Sequence, residues 1–223
     1  MTTARDDILS TIRRSLGVNG AEAPRRASVE QRLASAPQGV IPLRGRLDAA
    51  GRIALFREEA ERVQSSVALV ASAADAPAEI ARYLRDNNLP ATLRMGDDAR
   101  LRAMDWSQTA ITLSYGASEG EDLNAVSHAF AGIAETGTLA MTSGADNPTT
   151  LNFLPDNHIV VLAAADILGE MESVLTKLRG VYGKGAMPRA VNFITGPSRS
   201  GDIEQKLLLG AHGPRRLHVV VVG

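Results

Sequence analysis

The chain has 223 residues, 44% hydrophobic and 22% charged, which suits one large globular domain able to bury most of its apolar surface without covalent staples. A net charge of −1 and a pI near 6.4 give no electrostatic case for nucleic acid or an anionic membrane. With no cysteine in the chain, disulfides, thiol catalysis and Cys-ligated zinc or iron–sulfur clusters within it are excluded.

The first sixteen residues alternate charged and apolar side chains and lack the apolar stretch of a signal peptide. The apolar runs Ile159–Ala165 and Val219–Val222 are far too short to span a bilayer. A cytoplasmic protein without membrane insertion is expected. Residues 5–16 read as an amphipathic helix, with Ile8, Ile12 and Leu16 recurring on one face. From Gly17 to Leu43, three prolines and three glycines predict an extended linker. Residues 1–43 are therefore assigned to an N-terminal helix and arm, and residues 44–223 to an α/β domain. The helix packs either on its own domain or on a neighbouring subunit; both readings stand.

The body alternates strands and helices. Helices are predicted near Asp48–Gln64 and Pro77–Asn87, with strands at Val67–Ala71, Ala91–Met95 and Thr109–Ser114. Two β-rich stretches follow, Val126–Ile133 and Thr138–Thr142, then a strand at His158–Ala163 and a helix over Ile167–Leu178. A strand at Ala190–Thr195, a short helix over Asp202–Leu209 and a last strand at Arg216–Val222 complete the chain. Such alternation predicts a largely parallel sheet flanked by helices in three layers. The nearly unbroken apolar last strand suits a position buried on both faces.

Four turns carry the candidate chemistry. At Thr195-Gly196-Pro197-Ser198, a strand is expected to end in a tight turn and a helix to begin, with Asp202 in its first turn. Free N–H groups there would attract a carboxylate or phosphate, or the turn is simply a well-capped junction. No Gly-x-Ser-x-Gly elbow surrounds Ser198, which argues against a nucleophile. At Glu135-Thr136-Gly137, a carboxylate sits between apolar segments beside a glycine. It serves either as a general acid, base or nucleophile, or as an acceptor for nearby amides.

The segment His212-Gly213-Pro214-Arg215-Arg216 could clamp an anion, or its arginines could pair with Asp202 or Glu204. At Pro155-Asp156-Asn157-His158, the histidine opens a strand, a position more often architectural than catalytic. The four histidines show no metal-ligand spacing, and no metal site is expected. Gly180–Gly185 matches neither the dinucleotide nor the P-loop spacing.

Taken together, these blocks resemble the LUD-domain family, the lactate-utilization proteins of the LutC (YkgG) type. The resemblance rests on Ile133-Ala134-Glu135-Thr136-Gly137-Thr138-Leu139, Leu154-Pro155-Asp156-Asn157-His158-Ile159-Val160-Val161, Ile194-Thr195-Gly196-Pro197-Ser198, Asp202-Ile203-Glu204 and Gly210 through His218. It covers roughly residues 120–222, and it departs at Ser200-Gly201, where the family usually has Thr-Ala. The resemblance implies a fold similar to the sugar-isomerase and CoA-transferase group (NagB/RpiA/CoA transferase-like). It also implies a part in oxidising L-lactate to pyruvate beside two other subunits, at least one with iron–sulfur clusters, while this chain binds no cofactor of its own. The alternative is a free-standing enzyme or binding protein for a small anion, acyl/CoA or phosphate-bearing. Glu135 is the candidate catalytic residue; Thr136, Gly137, Thr195, Gly196, Pro197, Ser198, Asp202 and Arg215 are the candidate ligand-binding residues.

Overall fold

The computed structural model describes residues 3–201 and 207–223, and the chain divides into two compact units, Met1–Val40 and Ile41–Gly223. In the first unit, α1 (Ala4–Leu16) opens with a capping box between Thr3 and Asp6 and ends at Gly17 in the left-handed conformation. Ile8, Ile12 and Leu16 form the expected stripe. The region read as linker holds a second helix, α2 (Ala23–Ser35). Pro24 lies in its first turn, where a missing N–H costs nothing, and no glycine interrupts residues 21–38. The proline that suggested a linker in fact starts a helix.

The second unit is built on a six-stranded sheet in which every neighbouring pair is parallel. Its strands are β1 (Ser66–Val70), β2 (Thr92–Met95), β3 (Thr112–Tyr115), β4 (Asn124–His128), β7 (Asn157–Ala163) and β12 (Arg216–Val222), in the order β1-β12-β7-β4-β2-β3. The apolar last strand lies between β1 and β7, and Val219, Val220 and Val221 are all buried. The expected α/β class, with a largely parallel sheet flanked by helices, is the one the chain adopts.

Period-2 alternation shows how the layers are made. On one face, Val160 and Leu162 of β7 and Val219 and Val221 of β12 meet Phe56 and Ala60 of α3 (Ala49–Arg62). On the other, Ile159, Val161 and Val220 meet Ile80, Tyr83 and Leu84 of α4 (Ala76–Asp86), with Leu101 of α5 (Ala99–Arg102) and Trp106 beside them.

The feature absent from the expected three layers is a second sheet, β8-β5-β6-β9, made of β5 (Ala131–Ile133), β6 (Thr138–Thr142), β8 (Ile167–Leu168) and β9 (Val191–Ile194). Leu139 and Met141 of β6 join the α3 core. Ala140, pointing the other way, packs with Ile133 of β5 and with Val174 and Leu178 of α6 (Met171–Tyr182). The helix expected over Ile167–Leu178 is thus divided: two residues pair with β5, and the helix begins only after Gly169 and Glu170.

The expected helix over Asp202–Leu209 also needs correcting. Leu207–Leu209 forms a strand, β11, antiparallel to β10 (Arg199–Gly201). The ladder Arg199–Leu209 to Gly201–Leu207 ties both strands into a hairpin, so inter-strand bonds replace the helical ones. Residues 202–206, Asp202 and Glu204 included, lie outside the described residues. Among the described residues no helix is long and apolar enough to cross a membrane.

Candidate functional site

The Thr195–Ser198 turn joins β9 of the second sheet to the β10–β11 hairpin, and it forms one wall of a cleft of about 290 Å³. His158 and Leu217, the second residues of β7 and β12, lie on that cleft too, which places it at the amino ends of the parallel strands. Asn152, from the short helical turn before β7, and His212-Gly213-Pro214, before β12, complete it. Two hydrogen bonds hold the loops together: Ser198 N–H donates to the Pro214 carbonyl at 2.8 Å, and Gly210 N–H to the Ser198 carbonyl at 2.9 Å. The Ser198 N–H therefore closes the site; it does not wait for an anion as at a helix start.

The floor of this amino-end cleft is polar and unsatisfied. His158 is 1% exposed; its Nε2 stands 3.1 Å from the Ser127 hydroxyl, while Nδ1 has no partner among the described residues. Burial pushes the imidazole down to about 3, so it is neutral, with one nitrogen donating and the other accepting. Asn152, equally buried, leaves both Oδ1 and Nδ2 without a partner among the described residues. Each unsatisfied buried polar atom costs about 1–3 kcal/mol. A cleft with three of them on its lining is chemically suited to a guest that accepts and donates hydrogen bonds.

The Glu135 turn sits close by but outside. The two turns are connected by a hydroxyl chain, Thr136 to Thr138 at 2.7 Å and Thr138 to Thr195 at 2.7 Å. Both are pressed against the end of α3. Gly137 (φ +62°) leaves no room for a Cβ, which would lie 2.3 Å from the Ala60 nitrogen; one on Gly196 (φ +79°) would lie 2.6 Å from the Val63 carbonyl oxygen. Only glycine fits either place. Behind them Glu59, buried near the end of α3, is bonded by Arg62 and Arg44, which hold its carboxyl below the usual carboxylate range despite burial.

Of the candidate residues, Thr195, Gly196, Pro197 and Ser198 line the cleft. Glu135, Thr136 and Gly137 are joined to it through Thr138 but are not on its wall, and the Glu135 N–H donates to the Gly169 carbonyl at 3.1 Å. Arg215 is not on the wall either. Its guanidinium lies 3.7 Å from Asp156 and is largely exposed; the expected partners Asp202 and Glu204 lie outside the described residues.

Two residues carry more than their sequence context suggests. His158 opens a strand, a position that suits an architectural role, yet that position puts it on the cleft. Asn152 lies in a stretch with no motif. A second cleft, about 280 Å³, lies at the opposite ends of the strands, where His128 closes β4, and no sequence motif marks it. Open parallel sheets commonly bind ligands at that carboxyl end.

Comparison with known proteins agrees with this picture. The LUD domain model matches residues 124–222, from the start of β4 to the end of β12. A lactate utilization protein C from Geobacillus sp. (strain WCH70) is 38% identical over 91 residues, covering 40% of this chain and 38% of that protein. The protein of the same name from Geobacillus thermodenitrificans (strain NG80-2) is 32% identical over 123 residues, 52% of this chain and 51% of its own length. The matches thus span about half or less of these curated relatives. A crystal structure of a DUF162 family protein from Deinococcus radiodurans superposes with a TM-score of 0.59 at 21% identity, covering 79% of this chain and 99% of that one. That likeness speaks to the fold alone. Residues 124–222, which hold the turns at Glu135 and Thr195 and the strands carrying His158 and Leu217, are thus similar to the LUD domain.

Proposed function

We propose that this protein acts in lactate utilization as a LutC-like subunit, contributing to the oxidation of L-lactate to pyruvate together with iron–sulfur partner subunits. The observation that carries the reading is the 32–38% identity to proteins named lactate utilization protein C, beside a LUD domain match over residues 124–222, the segment that builds the amino-end cleft. A chain without cysteine supplies no thiolate for a cluster, so in this reading the electron-carrying groups reside on partners. This chain contributes docking surface and a small polar site. Deleting the coding sequence should abolish growth on L-lactate while leaving growth on pyruvate intact, and a tagged chain should co-purify with cluster-bearing proteins. Unimpaired growth on L-lactate, with a tagged chain that recovers no such partner, would overturn the reading.

A second reading is favoured by the cleft itself: a binding protein for a small anion, with the ligand held against Asn152 and His158. Glu135 acts on such a ligand only if the ligand extends past Thr195. Binding of lactate, pyruvate, acetyl-CoA or a phosphosugar raises the unfolding temperature, because a ligand that binds only the native state must stabilise it. If none of them does, this second reading fails.

A further inference from the structure

The carboxyl-end cleft gathers single residues from separate segments: Arg100 from α5, His128 from β4, Phe130 just after it, Asp146 from the loop beyond β6, Asp166 after β7 and Lys177 from α6. The loop carrying Asp146 is tied to the end of β2, where the Asp97 N–H donates to the Ala145 carbonyl at 2.9 Å.

The hydrogen-bonding state of each group is set by its neighbours. His128 Nδ1 lies 2.9 Å from the Ala129 carbonyl, which can only accept, so Nδ1 carries the proton. Nε2 is left as a bare acceptor with no partner among the described residues. Burial, and then the positive charge of Arg100, hold this imidazole below its ordinary value; Asp98 and Asp166 oppose that shift without reversing it. The Lys177 ammonium donates to the Phe130 carbonyl at 2.7 Å and to Asp166 at 2.6 Å, and stands 4.7 Å from the centre of the Phe130 ring. Its third proton is uncommitted among the described residues. Arg100 engages Asp98 through Nε and Nη2, which leaves Nη1 without a hydrogen-bond partner among the described residues.

The free groups are therefore two cationic donors and one neutral acceptor, with the exposed Asp146 carboxylate at the rim. Because Asp98 and Asp166 already balance Arg100 and Lys177, the cleft has no net positive charge to offset the desolvation of a dianion such as a phosphate monoester. What complements it is a single carboxylate for the donors and, next to that carboxylate, a donor for His128 Nε2.

We propose that the carboxyl-end cleft is a binding site for short carboxylic acids that carry a hydrogen-bond donor, hydroxyl or ammonium, on the adjacent carbon. His128 reads the donor, and Lys177 and Arg100 hold the carboxylate. A cavity of about 280 Å³ is at the small end for organic ligands. The class includes lactate and so deepens the lactate reading, but it is argued from the groups in the cleft.

Propionate, lactate and alanine differ only in that one substituent and make the test. In calorimetric titrations of the full chain, lactate, alanine or both should bind about tenfold more tightly than propionate, as one added hydrogen bond of good geometry allows. Whichever is tighter identifies hydroxyl or ammonium as the donor. His128→Ala should remove the preference while leaving propionate affinity within about twofold, and Lys177→Met should weaken all three. In the wild-type chain, the 15N signal of His128 Nε2 should shift on titration, and amide shifts should cluster at residues 128–130 and 166–177. That spectrum needs no variant, so a misfolded substitution leaves the test standing. Equal affinities for the three acids, no binding at millimolar concentrations, or shifts confined to residues 195–199 and 212–214 would each overturn the proposal. None of these results bears on growth on L-lactate or on partner recovery.

Discussion

The two clefts at opposite ends of the parallel sheet use different chemistry. The amino-end cleft is walled by loops and floored by neutral groups, Asn152 and His158, whose hydrogen-bonding atoms are buried and unmatched. The carboxyl-end cleft is framed by charged side chains that are already paired, Asp98 with Arg100 and Asp166 with Lys177. Neutral buried groups favour a guest through the penalty of leaving them empty; paired charges favour one through the few donors and acceptors left over. The first kind of site is sensitive to anything that charges its floor, the second to anything that breaks its pairs.

The largest test of that contrast is pH. His158 and His218 are buried and neutral, held at about 3 and about 4 by desolvation. Their unfolded-state value is near 6.5, so between pH 6.5 and pH 4 the unfolded chain binds protons that the folded chain refuses. Stability is therefore complete above pH 6.5 and falls as the pH drops. Each histidine costs about 3 kcal/mol by pH 4. Denaturant titrations at a series of pH values should show this slope, and His158→Gln, which removes the titrating group of the amino-end floor, should reduce it, His218 and the partly buried His128 supplying the rest. A flat profile would mean that these histidines are solvated, the one on the amino-end floor included.

Gly196→Val comes next. The side chain would need a left-handed backbone and would strike the Val63 carbonyl at the end of α3, a combination that costs on the order of 3 kcal/mol. Amide exchange should rise across residues 194–200 and 210–216 while residues 128–130 and 166–177 stay protected. Loss of protection at both ends would show that the clefts open as one unit.

This difference in construction also governs how much of each cleft could be read from sequence. The parallel sheet was legible because its strands alternate with helices, and β12 because four consecutive valines suit a strand buried on both faces. The Thr195–Ser198 wall was legible because four adjacent residues make it. Its continuation reads differently: Leu207–Leu209 lies after Asp and Glu residues that resemble a helix start, whereas it pairs with Arg199–Gly201 a few residues upstream, and two three-residue strands are too short to show an alternating pattern. The carboxyl-end cleft has no contiguous signature at all. Arg100, His128, Asp166 and Lys177 are brought together by the crossing of strands and loops, and a lone histidine at the end of a strand carries no pattern.

Asn152→Leu should act in the opposite direction to Gly196→Val. Replacing two unmatched polar atoms by an apolar side chain of similar volume relieves their desolvation penalty. A gain of about 1 kcal/mol in the ligand-free chain is expected, with loss of whatever affinity the amino-end cleft has for small anions. Thermal unfolding with and without ligand measures both. A destabilised variant would mean that water already satisfies Asn152, and the floor would then be a hydrated structural feature.

The smallest effect is expected at Arg215, the residue that sequence offered as an anion clamp. Its pair with Asp156 is 3.7 Å long, with side chains 61% and 47% exposed, and it stands outside the amino-end cleft wall. Exposed pairs of this kind contribute up to about 0.5 kcal/mol and are screened by salt. Arg215→Ala should therefore change stability by no more than that, with even less effect in 0.5 M salt, and leave small-anion affinity unaltered. The backbone is the more important part of this residue: its N–H donates to the Asp156 carbonyl at 2.7 Å and fixes the approach to β12, and alanine keeps that bond. A tenfold fall in anion affinity on Arg215→Ala would extend the amino-end site outward to a charged rim, and the division between a neutral cleft and a charged one would no longer hold.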